Sequence, residues 1–336
     1  MNKEAIKKAR KGAVRLEMHL DEGDSVLKML SRQSGLFVVT KTKILRLRSP
    51  DDLDPGLDHG DATWEQSVYL PLGSRDQLVA RTILQTEAMA DMFFAQDSEK
   101  HRAMMDISWE VMNSLVSLRV VRERLDSRVT EIVSLVEADL ETYTSGSSPK
   151  PLPIVEYYEI DFRSFVNEMR RVLSKISELF GVLTTANFDN GHFHKALEWA
   201  RRERGEQSLL ALMLAGDQLW IKLWIDVRIA IEHPEKERFV EPLNFSLEKD
   251  RKVRLPTWRF VHSGYDMDRP QNLLDAFDFA IKNVLTFFEN LQIVLLDGHL
   301  PSNIKISYSD IPESERDPEA PLRYQFDIAG APAVGP

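Results

Sequence analysis

Residues 206–231 leave this chain few folds to choose from. Leu209, Leu210, Leu212, Met213, Leu214, Leu219, Trp220, Ile221, Leu223, Trp224, Ile225 and Val227 cover nearly every direction around a helix. A helix apolar on all sides belongs at the centre of a bundle. Upstream, Phe162, Phe165, Val166, Met169, Val172, Leu173, Ile176, Leu179, Phe180 and Leu183 mark one face at helical spacing, with Asp161 as a candidate cap. A shorter helix is expected over His192–Arg204, broken by Gly205, and another over Asn272–Leu296. Together these predict a helical bundle over about residues 154–300.

The first half reads as α+β. Residues 1–20 are basic and amphipathic, which suits a solvated helix. Residues 35–48 are rich in β-branched side chains and predict a strand pair or a single bent strand. Asp and Pro between Ser49 and Gly56 set up turns, so Asp51, Asp52 and Asp54 read as turn chemistry rather than a metal site. Long helices are expected over about 76–143, with Asp97 or Ser98 capping the second. In that helix Leu118, Val121, Leu125, Val129, Ile132, Val136 and Leu140 repeat at eleven residues per three turns. Such a stripe fits packing within the chain or a dimer seam. Gly, Ser and Pro between Thr144 and Pro153 mark a linker. The expected organisation is therefore an N-terminal region over 1–147, the bundle over 154–300, and short strands with a flexible tail over 301–336. The fold class is mainly α with small β additions.

Composition removes several function classes. The 336 residues include no Cys, so thiolate zinc, iron–sulfur and cysteine-nucleophile chemistry are excluded. Acidic residues exceed basic ones, 53 to 43, and the excess is spread along the chain. That gives no basic half for DNA binding. No run of about 18 apolar residues suggests a membrane span, and no signal-type apolar core opens the chain, so a cytoplasmic location is expected. There is no glycine-rich phosphate loop, nucleophile elbow or His-Glu-x-x-His element. His192 and His194 lie on different sides of a helix, so with Glu198 they read as exposed or capping groups. Asp266 and Asp268 read as loop chemistry. No cofactor or metal is expected.

The informative stretch is Trp224-Ile-Asp-Val-Arg-Ile-Ala-Ile-Glu-His-Pro234. Arg228 interrupts the most apolar helix of the chain. An unpaired buried charge there would cost several kcal/mol, roughly, so it must be paired or line a solvated cleft. His233 precedes a proline, which pushes it out of helical geometry and to the helix end. A histidine there can exchange protons near neutral pH, and a guanidinium can hold phosphate oxygens bidentately. Asp226 and Glu232 are the nearby carboxylates. The basic groups Arg201, Arg202 and Arg204, and Lys249, Arg251, Lys252 and Arg254, read as solvated faces that could also touch an RNA backbone.

A helical domain with Arg-x4-His at the end of a central helix resembles the HEPN (higher eukaryotes and prokaryotes nucleotide-binding) superfamily, over about residues 155–300. Many members carry a polar residue directly after the arginine, where this chain has Ile229. The resemblance implies metal-independent RNA cleavage by a homodimer, in a toxin or phage-defence setting, with RNA and a partner protein as its associates. It implies that His233 transfers a proton, that Arg228 holds the scissile phosphate, and that Glu232 or Asp226 supports them. Two other functions would use the same pocket: a non-catalytic dimerisation or interaction protein, and a sensor of a nucleotide or small ligand.

Overall fold

A computed structural model of the chain describes residues 18–32, 35–49, 64–96, 98–139, 143, 151–247, 253–265, 270–299 and 305–329. In chain order its elements are β1 (Val26–Arg32), β2 (Gly35–Thr40), β3 (Ile44–Arg48), β4 (Glu65–Leu70), α1 (Gln77–Val79), a π-helical turn (Ala80–Leu84), α2 (Gln85–Phe93), α3 (Glu99–Ala138) and α4 (Tyr158–Leu183). There follow α5 (Phe193–Arg204), α6 (Leu209–Glu232), β5 (Phe239–Leu243), β6 (Ser246–Leu247), β7 (Val253–Arg254), β8 (Thr257–Val261), β9 (Gln271–Asn272), α7 (Leu273–Asp297), β10 (Lys305–Asp310) and β11 (Tyr324–Ala329). The chain is mainly α. The readings for residues 1–17, for Asp51, Asp52 and Asp54, for Lys249, Arg251 and Lys252, and for Asp266 and Asp268 lie outside the described residues.

Contacts divide the chain into two compact units, residues 1–85 with 306–336, and residues 86–305. Residues 144–150 of the expected linker lie outside the described residues, and the helices on either side of it fall in one unit. The physical reason is that α3 packs along α4, which joins the helices on either side of the Gly/Ser/Pro segment.

The first unit carries a four-stranded antiparallel meander, β1-β2-β3-β4. The strand pair expected at 35–48 forms its middle, with Val38 opposite Leu45 and Leu36 opposite Leu47. Their side chains make a small core with Met18, Leu20, Val26 and Trp64. Gly73 sits where a Cβ would lie 2.4 Å from the backbone of Thr40 and Lys41, so only glycine lets the chain press on the β2–β3 turn. Asp24 pins that turn. It accepts from the Thr40 and Thr42 hydroxyls, each at 2.7 Å, and from the Ser25 and Lys41 amides, each at 2.9 Å. β10 pairs with β11, as the two strand-like tail segments predict. The buried Gln85 side chain accepts from the Arg323 and Tyr324 amides and donates to the Tyr324 carbonyl, standing in for a neighbouring strand.

The second unit is built from α3 to α7 with two small sheets, β5-β8-β9 and β6-β7. Every residue expected on the apolar face of α4 is buried. Fully burying a side chain of that size stabilises by about 1.5–3 kcal/mol. The stripe of α3 is buried at Leu118, Leu125, Val129 and Val136, within the chain. Ser98 caps α3 by accepting from the His101 amide. Asp161 does not cap α4. It lies one turn inside, 2% exposed, and pairs with Arg124 and, at 2.7 Å, Arg128 of α3. Asn272 caps α7, whose apolar length would suffice to cross a membrane but whose side chains are mostly buried in the bundle.

The helix α6 is not enclosed on all sides. Leu210, Ala211, Leu214, Ile221, Trp224, Val227 and Ala230 are buried, whereas Leu209, Leu212 and Leu219 are exposed, Leu219 at 69%. The helix therefore packs by one stripe, at the side of the bundle. An aromatic cluster fixes it there. Phe165 stacks on Phe277 with centroids 3.6 Å apart, Trp224 lies 5.5 Å from Phe165 and 5.7 Å from Trp258, and Phe162 lies 5.6 Å from Trp258. These rings lock α4, α6, α7 and β8 together, and they set the rotation of α6 one turn before Arg228.

Candidate functional site

An open cleft of about 580 Å³ runs between α4 and the last turns of α6. That lies within the roughly 300–1,000 Å³ of ligand pockets. One wall is a polar stripe of α4: Asn167, Arg170, Arg171, Ser174 and Lys175. Their spacing of three and four residues places them side by side, flanking the buried face. The other wall is Arg228 and Glu232 of α6, and Asn190 closes one end. Four lining residues are basic and one is acidic.

Backbone conformation holds Asn190 in place. Asn190 and Gly191 both have positive φ, 59° and 68°. The Gly191 amide donates to the Ser177 hydroxyl at 3.1 Å. A Cβ on Gly191 would lie 2.9 Å from Arg170 Nη1 and 3.3 Å from the Leu173 carbonyl, so the turn rests directly on α4.

The structure places the sequence-derived candidates in different environments. Arg228 is half-buried and pairs with Glu232 at 2.7 Å. It is neither a stranded charge nor bonded to Asp226. Glu232 consequently binds the arginine and not the histidine that the resemblance gave it. Asp226 belongs to a separate cluster: it pairs with Lys222 and accepts from the Tyr265 hydroxyl at 2.8 Å. Lys222 also lies over the Tyr265 ring at 5.3 Å. Burial, then the hydrogen bond and charge of Asp226, pushes the Tyr265 hydroxyl far above its usual range, so it stays a donor. His233 ends α6 with φ −132° and ψ 70°, its amide donating to the Ile229 carbonyl at 2.8 Å. Its side chain is exposed and lies outside the cleft lining. Five residues advance a helix by about 500°, which sets His233 some 140° round from Arg228, whereas Glu232 is only about 40° away.

Electrostatics inside the cleft are uneven. Arg228 has Glu232, Lys175 has Glu178 at 2.8 Å, and Arg171 has Glu110 at 3.4 Å and Glu168 at 3.8 Å. Among the described residues Arg170 has no carboxylate partner, and its Nη1 is shielded from solvent without an acceptor. Burial, and after it the charge of Arg228, holds the Arg170 guanidinium below its usual range.

No His, Asp and Glu cluster among the described residues has the membership to hold a metal ion. His192 and His194 meet ring to edge at 5.4 Å. Arg201 pairs with Glu206 at 3.2 Å and Arg202 with Glu203 at 2.8 Å, both on exposed helix surface. The α4 wall is the part the sequence reading missed. Its signal was there, a polar i, i+3, i+4 stripe beside the apolar one. We find no family model, curated protein or solved structure that matches the chain.

Proposed function

We propose that the helical unit is a HEPN-like bundle that acts on RNA as a metal-independent endoribonuclease. One observation carries this reading: Arg228 opens onto a solvated, predominantly cationic cleft, where a phosphodiester would meet several N–H donors. Arg228 holds the scissile phosphate and offsets the charge that grows on its oxygens during attack. A histidine takes the proton of the ribose 2′-hydroxyl, the 2′-oxygen bonds to phosphorus, and the 5′-oxygen leaves with a proton. Because His233 is exposed and turned away from its own cleft, the proposal is of a composite site in a homodimer, with the partner's His233 facing Arg228.

The test is cleavage of total RNA in EDTA by the purified chain, together with complementation. His233→Ala and Arg228→Ala should each be inactive, and mixing the two should restore part of the activity, since some mixed dimers carry one intact site. Cleavage by neither the parent chain nor the mixture overturns the reading. A second reading, ligand binding without cleavage, is favoured by the pairing of Glu232 with Arg228 instead of the histidine. It requires a thermal midpoint that rises with a nucleotide while RNA stays intact.

A further inference from the structure

Arg170 is held in a configuration that costs free energy. A shielded N–H without an acceptor loses its water and gains nothing in return, and a guanidinium does not escape by losing its proton. Nη1 is such a group. No acceptor among the described residues meets it. The turn at Gly191 lies beside it, where an added Cβ would stand 2.9 Å from Nη1. Arg228 repels it, and Glu110, Glu178 and Glu232 pair with Arg171, Lys175 and Arg228. Asn167, Ser174 and Asn190 surround the opening with neutral donors and acceptors. An anion seated between Arg170 and Arg228 would give the donor an acceptor and separate two like charges.

We propose that the Arg170 end of this cleft is a phosphate-binding subsite, for a ligand that carries two or more phosphate charges and spans from Arg170 to Arg228. Phosphate oxygens suit guanidinium because two parallel N–H bonds can reach one phosphate. The same chemistry is presented by the condensed phosphates of a nucleotide and by successive phosphates of an RNA strand. The subsite deepens the reading above and rests on it for the RNA source, but it needs no cleavage to exist.

The experiment is calorimetric titration of the full chain with inorganic pyrophosphate at low ionic strength, in EDTA. A second arm uses a short 2′-O-methyl RNA, which cannot be cut. The parent chain should bind pyrophosphate with a one-to-one stoichiometry. Arg170→Gln should weaken it tenfold or more, and Arg170→Lys by less. Arg102→Gln, on the exposed surface of α3, should leave it unchanged. If the oligonucleotide displaces pyrophosphate and also depends on Arg170, the source is an RNA strand. If ATP displaces it and the oligonucleotide does not, the source is a free nucleotide. No pyrophosphate binding by the parent chain, or equal binding by a folded Arg170→Gln chain, overturns the subsite. Should Arg170→Gln unfold, Arg170→Lys decides it, and undiminished binding there together with displacement by monovalent anions alone overturns it. Failure to cut RNA with pyrophosphate binding intact overturns the nuclease reading and leaves the subsite standing.

Discussion

Arg170 and Arg228 repel one another across the cleft between α4 and α6, and among the described residues a carboxylate, Glu232, answers the charge of Arg228 alone. The site is thus charged asymmetrically before any ligand arrives.

Glu232 limits how strongly the cleft attracts anions. Replacing it by Gln removes one negative charge a few ångströms from a ligand at Arg228, worth roughly 1 kcal/mol where water screens the pair, as it does in an open cleft. We expect Glu232→Gln to bind pyrophosphate about 3- to 10-fold more tightly by calorimetry. Weaker binding would mean that the carboxylate orients Arg228 and that its charge matters less.

Arg228 itself should matter little to stability. Its pair with Glu232 is an exposed i, i+4 contact, both side chains about a third exposed, and such pairs stabilise by about 0.3–0.5 kcal/mol. Arg228→Ala should shift a urea midpoint barely at all while abolishing RNA cleavage. A loss of several kcal/mol would make the arginine a strut.

Gly191→Ala tests the turn against α4. The positive φ and the Cβ approach to Arg170 Nη1 and Leu173 together should cost about 1–3 kcal/mol in urea unfolding. Pyrophosphate affinity should fall in the same variant, because Arg170 must move.

The Asp161 cluster gives an asymmetric prediction. The carboxylate is buried and its two arginines are partly exposed. Converting Arg124 and Arg128 to Met strands the buried charge and should cost about 3–5 kcal/mol. Asp161→Asn leaves arginines that water can reach, and should cost less. Equal losses would contradict this account.

Asp24 should make the first unit acid-sensitive. Burial raises its pKa, but hydrogen bonds from Thr40, Thr42, Ser25 and Lys41 outweigh that and hold it below the usual carboxylate value. Its folded pKa lies below the unfolded one, so its stabilisation is present above about pH 4 and lost as pH falls through the folded value. Asp24→Asn should therefore be less stable than the parent at pH 7, with the gap closing towards pH 3. Thermal melts across that range measure it.

The parts legible in the sequence were those with strong periodicity. The face from Phe162 to Leu183, the stops at Gly205 and Pro234 and the cap at Ser98 could be read because each rests on local chemistry. Strands β1 and β4 escaped because neither alternates buried with exposed positions along its length. The boundary after Gln85 escaped because it falls inside a helix, with no proline or glycine to mark it. Hydrophobicity misplaced α6, since Leu212 and Leu219 look like core residues until the packing stripe is known. The cleft was half visible: Arg228 announced itself by its setting, whereas Arg170 lay in a polar stripe resembling any solvated helix surface.

Pro234 turns the end of α6 into a ruler. Since the helix stops at His233, the chain between Arg228 and the imidazole has one length, and with it one angle. An alanine inserted after Ile229 would swing the ring by about 100° and move it about 1.5 Å along the axis. Evolution can change what surrounds the two groups far more cheaply than it can change their relative bearing.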